Sequence, residues 1–418
     1  MNRIKKLLNL LLDKKFRTIL DLVTYKINTR IYLRKYYCDF FLKKNLLQIL
    51  KQSDKKFTLI IDNNIGGGSR KYMNHLLNSY HDKNIILLRF YYEARNKLYY
   101  LETITDQNKK YCFTISSIDI LPKYFDISQI SLIFINQIIS FPKPYEILSF
   151  INNMKSIYQI KITLAVHDYY VLCPSYNLIN SKGAFCNIPE NLSKCNACLQ
   201  NPFDMISLFN DEKNIRRWRK NWIKILEKTD TILLFSESSK KLLIKTYPLI
   251  DPSKIKITPH QLDKKLKVSS YSHQANDNKK KNIVIGVLGN IIYIKGANII
   301  KEMLEIIQAT QLNIKIVIIG EFDISYRHPS LKVTGRYKEE ELVSLIEKNE
   351  IDIFFVSSIC PETFSYITEE ILTMEYPVVS FNIGAPAERI RNYSQGYIVD
   401  TIDANAVLST ISNINNEK

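Results

Sequence analysis

A chain of 418 residues is too long for one ordinary domain and long enough for two, each burying its own core. With 46% hydrophobic and 24% charged residues, its composition is that of a folded protein and excludes a disordered one. The net charge of +17 raises nucleic acid as a partner, but residues 1–50 carry twelve Lys and Arg against three Asp, more than half of the excess, and no nucleic-acid-binding module is recognisable; no nucleic acid is expected as a partner.

In residues 1–50 the apolar positions Ile4, Leu8, Leu11, Phe16, Ile19, Leu20, Val23 and Ile27 fall at helical spacing, with Lys and Arg on much of the remaining surface. This predicts a basic amphipathic helical extension. Such a helix lies on an anionic membrane surface, where each Lys or Arg contributes ~1 kcal/mol, or packs on the protein itself; the sequence leaves both open. The apolar run from Leu7 to Leu12 is interrupted by Asn9 and stopped by Asp13, Lys14 and Lys15, too short for a signal peptide or a span. The expected location is the cytoplasm, or the inner face of the cell membrane as a peripheral protein.

Residues 51–260 alternate short apolar runs, at 57–62, 85–90, 132–136, 162–167 and 231–235, with helical segments such as 71–79 and 145–158. Alternation of this kind means a parallel sheet covered on both faces. Gly66, Gly67 and Gly68 follow the first strand and precede a helix, where the backbone either turns tightly or approaches a ligand closely. His167 and Asp168 end the fourth strand at the edge where α/β sheets hold ligands; Asp168 is expected to orient loop backbone.

A Cys-rich insertion, 171–200, follows. Cys173, Cys186, Cys195 and Cys198 have the ligand count of a closed structural zinc site, but gaps of twelve and eight residues are irregular, so structural zinc and four reduced thiols are both open. Seven cysteines without an export signal are not read as a disulfide framework. In a helix expected at 211–228, Arg216, Arg217, Arg219 and Lys220 surround Trp218 and Trp222, a pattern that suits a lipid headgroup or a phosphate, or a solvated face over a core stripe.

The polar stretch 261–282 reads as a linker. Residues 283–418 then restart the alternation, with strands at 283–288, 314–319, 331–334, 351–356, 378–381 and 397–399. Lys295 and Gly296 stand at a helix start after the first of these. Glu362 and Glu370, eight residues apart, flank the start of a helix expected at 364–375, whose amino terminus offers unpaired N–H groups to a phosphate. Two glutamates alone read equally as a solvated acidic turn.

Taken together, the segments 283–296, 319–321, 361–370 and 381–389 resemble the donor half of glycosyltransferase family 4, the retaining enzymes of GT-B fold. The resemblance covers residues 283–400. It implies two Rossmann-like parallel-sheet domains facing a cleft, and a sugar transferred from a nucleotide diphosphate donor to a hydroxyl of a glycan, in particular a lipid-linked cell-surface one, with retention. It assigns Glu362 to the transferred sugar, Glu370 to the donor ribose, Lys295 to the diphosphate, and the main-chain amides of Phe364 and Ser365 to the same diphosphate. Asn290 stands where many members carry arginine, so half of the usual cationic clamp is missing, with Arg336 or Arg389 as candidate replacements. Gly67 and Gly68 match the family's glycine loop, and His167 its strand-end histidine near the donor sugar. No cofactor is expected for catalysis. The rival readings are another GT-B reaction, such as a phosphorylase or an epimerase, and a non-catalytic membrane-surface scaffold.

Overall fold

The computed structural model describes residues 50–51, 53–64, 66–78, 85–94, 96–105, 109–203, 211–262 and 282–416. The helical extension expected over 1–50 and the linker expected over 261–282 lie almost wholly outside the described residues.

In chain order the first domain contains β1 (Lys56–Asn63), α1 (Gly68–Asn78), β2 (Ile85–Glu93), β3 (Leu98–Ile104), β4 (Lys110–Ile115), β5 (Ile130–Ile135), α2 (Pro144–Ile157), β6 (Lys161–Ala165), α3 (Leu192–Gln200), α4 (Ile215–Lys228), β7 (Thr231–Leu234), α5 (Glu237–Thr246) and β8 (Ile255–Ile257). They form an eight-stranded sheet of order β4-β3-β2-β1-β5-β6-β7-β8. β1 is parallel to both β2 and β5, and the parallel pairing continues to β8. The centre of β1 is apolar without alternation because both faces are covered. Leu59 and Ile61 join the large core, while Ile60 packs with Met73 of α1, Phe134 and Phe235 on the other face.

Three strands were not expected from the sequence. β3 and β4 run antiparallel to their neighbours and extend the sheet edge beyond β2. Their aromatic and polar residues, including the buried Glu102 and Thr103, hide the apolar run that marks the other strands. β8 is only three residues long.

The second domain contains β9 (Ile283–Ile291), α6 (Ala297–Thr310), β10 (Ile314–Phe322), β11 (Leu331–Val333), α7 (Leu342–Lys348), β12 (Ile353–Val356), α8 (Tyr366–Thr373), β13 (Val378–Phe381), α9 (Gly384–Arg391), β14 (Gly396–Val399) and α10 (Ala404–Asn416). Its sheet, of order β11-β10-β9-β12-β13-β14, is parallel throughout. Ile285, Val287, Ile316 and Ile318 face Ile300, Met303 and Leu304 of α6. Their neighbours Val284, Leu288, Val317 and Ile319 face Ile346 of α7 and Ile371 of α8. The strand period of two thus divides each strand between two helical layers.

The tryptophan-bearing helix is α4. Trp218 and Trp222 are buried, and Trp218 Nε1 donates to the Tyr170 carbonyl at 2.8 Å. Arg217 pairs with Glu212 at 2.7 Å, and Arg219 Nε donates to the Leu172 carbonyl. The two rings are therefore core, leaving no aromatic face for a headgroup. Among the described residues, no helix is long and apolar enough to cross a membrane.

Candidate functional site

The carboxyl edge of the second sheet is built by loops pressed together more closely than side chains would allow. A single 3-10 turn, Tyr293–Lys295, follows β9 and ends at Gly296, whose φ is 82°. A Cβ at Gly296 would overlap the carbonyl of Ser357, so only glycine lets this loop touch the one after β12. Ser357 Oγ donates to the Lys295 carbonyl at 2.6 Å, and Ile359 N to the Ile294 carbonyl at 3.0 Å. Gly384, with φ 66°, makes a third contact: a Cβ there would stand 2.6 Å from Glu362 N. The next residue, Ala385, donates its N–H to the Glu362 carbonyl at 2.9 Å.

These constraints place Lys295 Nζ 2.6 Å from Glu362 Oε2, while Glu362 Oε1 accepts the Ser358 hydroxyl. Burial disfavours the ammonium, but Glu362, with Cys360, outweighs it and holds the Lys295 pKa above the usual lysine value. Lys295 therefore stays charged at the mouth of the cleft, as a diphosphate would require.

Just beyond, Ser365 caps α8 by accepting the Thr368 N–H at 3.3 Å. The helix begins at Tyr366, two residues later than expected, because Ser365 is its cap and not part of its first turn. Glu370 is consequently its fifth residue, little more than one turn in. Burial raises the Glu370 pKa to about 7; Lys71 opposes the rise and Glu339 adds to it. Lys71 and Glu339 form an ion pair between the domains, and Lys71 Nζ lies 5.1 Å from the Tyr366 ring centre.

The first domain meets this site through its glycine loop and its strand-end histidine. Gly66 and Gly67 have φ of 99° and 77°, and a Cβ on Gly68 would stand 3.1 Å from the Tyr366 ring. The Thr363 hydroxyl donates to the His167 carbonyl at 2.9 Å. The His167 ring stacks on Phe235 at 4.7 Å and meets the edge of Tyr72 at 4.8 Å. His260 lies 5.3 Å from it and stacks on Phe364 at 4.6 Å. Burial, then His260, pushes the His167 pKa well below its ordinary value. Asp168 accepts the Tyr170 N–H at 2.8 Å, the backbone-orienting role expected of it.

Lys295, Glu362, Phe364, Ser365 and Glu370 thus line one domain's edge, with Gly67, Gly68 and His167 on the other's. Asn290 is exposed at the end of β9, beside Glu321 of β10. Arg336 pairs with Glu321, the register partner of Asn290, at 2.8 Å, and Arg389 makes two bonds to Glu369 at 2.5 and 2.9 Å.

Cys173, Cys186, Cys195 and Cys198 are free thiols of one segment. Cys186 and Cys195 neighbour Cys173, and Cys198 neighbours both Cys186 and Cys195. Among the described residues, no group of three or more His, Cys, Asp or Glu is set to hold a metal ion.

Sequence reasoning missed Asp62, Lys71, Asn136, His260 and Tyr366. His260 carries no sequence signal because it adjoins the polar stretch. His260 Nδ1 and the Tyr366 hydroxyl lie 2.9 Å apart and tie the two domains.

The site lies on the carboxyl edges of two facing sheets, with a cation and a helix amino terminus on the second. Residues 269–418 match the model of the family described as glycosyl transferases group 1. The capsular polysaccharide biosynthesis glycosyltransferase CapM of Staphylococcus aureus is 24% identical over 179 residues, 39% of this chain. That stretch spans 44% of the relative's own length. The structure of HepE from Anabaena in complex with UDP-glucose is similar with a TM-score of 0.52 at 13% identity, covering 86% of this chain and 89% of that one. The sucrose-phosphate synthase of Thermosynechococcus elongatus gives a TM-score of 0.54 at 13% identity, covering 86% and 90%. These two are likenesses of fold: two α/β domains in the GT-B arrangement.

Proposed function

We propose that the protein is a retaining glycosyltransferase of family 4 type, moving a sugar from a nucleotide diphosphate to a hydroxyl of a cell-surface glycan. The observation that carries this reading is the charged Lys295–Glu362 pair, 2.6 Å apart, beside the amino terminus of α8. An ammonium and a positive helix end suit a diphosphate. The group 1 match over this domain supports the same reading, as does the bound UDP-glucose of HepE. A capsular relative supports a cell-surface acceptor, which we take to be lipid-linked and met at the membrane.

In this mechanism Lys295 neutralises charge that grows on the leaving diphosphate, and Glu362 stabilises the sugar as it becomes cationic. His167 bounds the sugar from the first domain, and Glu370 accepts hydrogen bonds from the ribose. The leaving oxygen takes the acceptor proton on the same face of the ring, so no protein base is required. Positioning is the protein's main contribution.

The test is transfer and donor hydrolysis over a panel of UDP-, GDP- and dTDP-sugars, in wild type and two variants. Glu370→Ala is expected to raise the donor KM roughly ten- to a hundredfold with kcat less affected, because ribose contacts persist from ground state to transition state. Glu362→Ala is expected to lower kcat by about a hundredfold or more while donor binding persists, because Glu362 acts on charge that develops only towards the transition state. Exchanged phenotypes would reverse the two roles, and full activity in both would remove the donor site.

A further inference from the structure

Three adjacent strands of the first sheet, and the residues following the next two, each contribute one polar side chain to a single hydrogen-bonded file that ends on His167. Arg89 on β2 donates through Nη1 to Glu102 of β3 at 3.0 Å and through Nε to Asp62 Oδ2 of β1 at 2.7 Å. Asn136, immediately after β5, donates through Nδ2 to Asp62 Oδ1 at 2.7 Å. Its Oδ1 stands 2.8 Å from Nε2 of His167, which follows β6. The file follows the strand order β3-β2-β1-β5-β6, and Glu102, Arg89, Asp62 and Asn136 are all buried.

Its direction follows from what each group can donate. The Asp62 carboxylate, bonded to a guanidinium, only accepts. The Asn136 amide must therefore turn its NH2 towards Asp62, because the reversed amide would set two acceptor oxygens against each other at 2.7 Å. Its oxygen is then what faces His167, and that oxygen also only accepts. The hydrogen in the His167 bond must sit on Nε2. A neutral imidazole with Nε2–H carries its lone pair on Nδ1.

We propose that Asp62 and Asn136 are positioning residues that hold His167 as the Nε2–H tautomer, so that it offers Nδ1 as a hydrogen-bond acceptor to a hydroxyl of the substrate. Burial keeps the ring neutral, and Phe235 and Tyr72 fix its plane. A buried ion network of this kind is a poor source of stability, since apolar residues of equal volume serve at least as well. Its directionality is what an apolar core would not supply.

The inference deepens the transferase reading and rests on it only for the identity of the hydroxyl. It is tested on the full chain with 15N-labelled histidine, where long-range 1H–15N correlations report the tautomer of each ring and His167→Gln assigns the signal. The expected result is Nε2–H in the wild type. In Asp62→Asn the amide at 62 can donate to Asn136, so Asn136 can reverse; the signal should move towards Nδ1–H, and kcat should fall by about tenfold or more at little-changed donor KM. Nδ1–H in the wild type, or unchanged Nε2–H in a folded Asp62→Asn chain, overturns the proposal. Should that variant not fold, the wild-type spectrum decides alone. The spectrum is read without any donor, so a chain inactive on every nucleotide sugar but carrying Nε2–H His167 would sink the transferase reading and leave this one standing.

Discussion

Glu370 shows how a single side chain can couple the site to pH. Burial on α8 raises its pKa to about 7, with Lys71 opposing and Glu339 adding to the rise. The folded state then binds more protons than the unfolded one between about pH 4.5, the ordinary glutamate value, and pH 7. Stability is full below that window and declines as pH rises through it. Glu370→Gln has no charge to lose. Its melting temperature should match the wild type near pH 4.5 and exceed it at pH 8, a gain bounded at about 3 kcal/mol and reduced in practice by relaxation of the site. Equal melting at both values would show that the carboxylate is not held away from water. Glu362 and Glu370 stand eight residues apart, a spacing visible in the sequence, whereas Lys295 is marked only by the resemblance of its segment to the family. Asp62 and Asn136 could not be read there, since 74 residues separate them and only the β1–β5 pairing brings them together.

At the scale of elements, the strands with an apolar centre were legible and the edge hairpin was not. β1 and β10 show their burial in the runs of Ile, Leu and Val at 59–61 and 316–319. β3 gives a buried position to Glu102, paired with Arg89 of β2, and β4 mixes polar and apolar residues, so neither shows an apolar run. The Cys-rich segment is held by other means. The Ile188 N–H donates to Cys186 Sγ at 3.4 Å, and Ser175 backbone donates to Cys173 in the same two-residue pattern. Asn187 and Ile188 accept φ near 50° to make this turn, a strained choice for a β-branched residue. Helix α3 sets Cys195 and Cys198 three residues apart on one face, and Arg219 faces Cys173 and Cys195. Burial raises the pKa of Cys173, Cys186 and Cys195 and so favours protonated thiols in the metal-free chain; the proposal of one structural zinc rests on four cysteines that neighbour one another in one segment. Metal analysis of chelator-free protein should give about one zinc per chain, lost when Cys195 and Cys198 are both replaced by Ser. Metal-free protein that is fully folded would leave four packed thiols.

Across the whole molecule, the two domains are joined by polar contacts around the cleft as well as by the chain between them. Glu388 of α9 accepts the N–H groups of Glu237 at 3.1 Å and Ser238 at 2.8 Å, placing a carboxylate at the amino terminus of α5. Tyr293 donates to the Gly183 carbonyl at 3.0 Å, which links the loop after β9 to the Cys-rich segment. None of these contacts was legible, because each joins residues far apart in the chain. What the sequence does show at this scale is charge: a surplus of nine positive charges in the first fifty residues, on a helical apolar pattern. If that segment is the membrane contact of an enzyme with a lipid-linked acceptor, its attraction to anionic lipid is the sum of ~1 kcal/mol for each Lys or Arg at the surface, screened by salt. Removing residues 1–45 takes all twelve of those basic residues away and leaves both sheets intact. The shortened chain should lose binding to vesicles rich in anionic lipid, while the full chain's binding should weaken as salt is raised. Donor hydrolysis should stay within about twofold, because every donor-side residue lies beyond 60. Unchanged vesicle binding would instead favour packing of this segment on the protein's own surface.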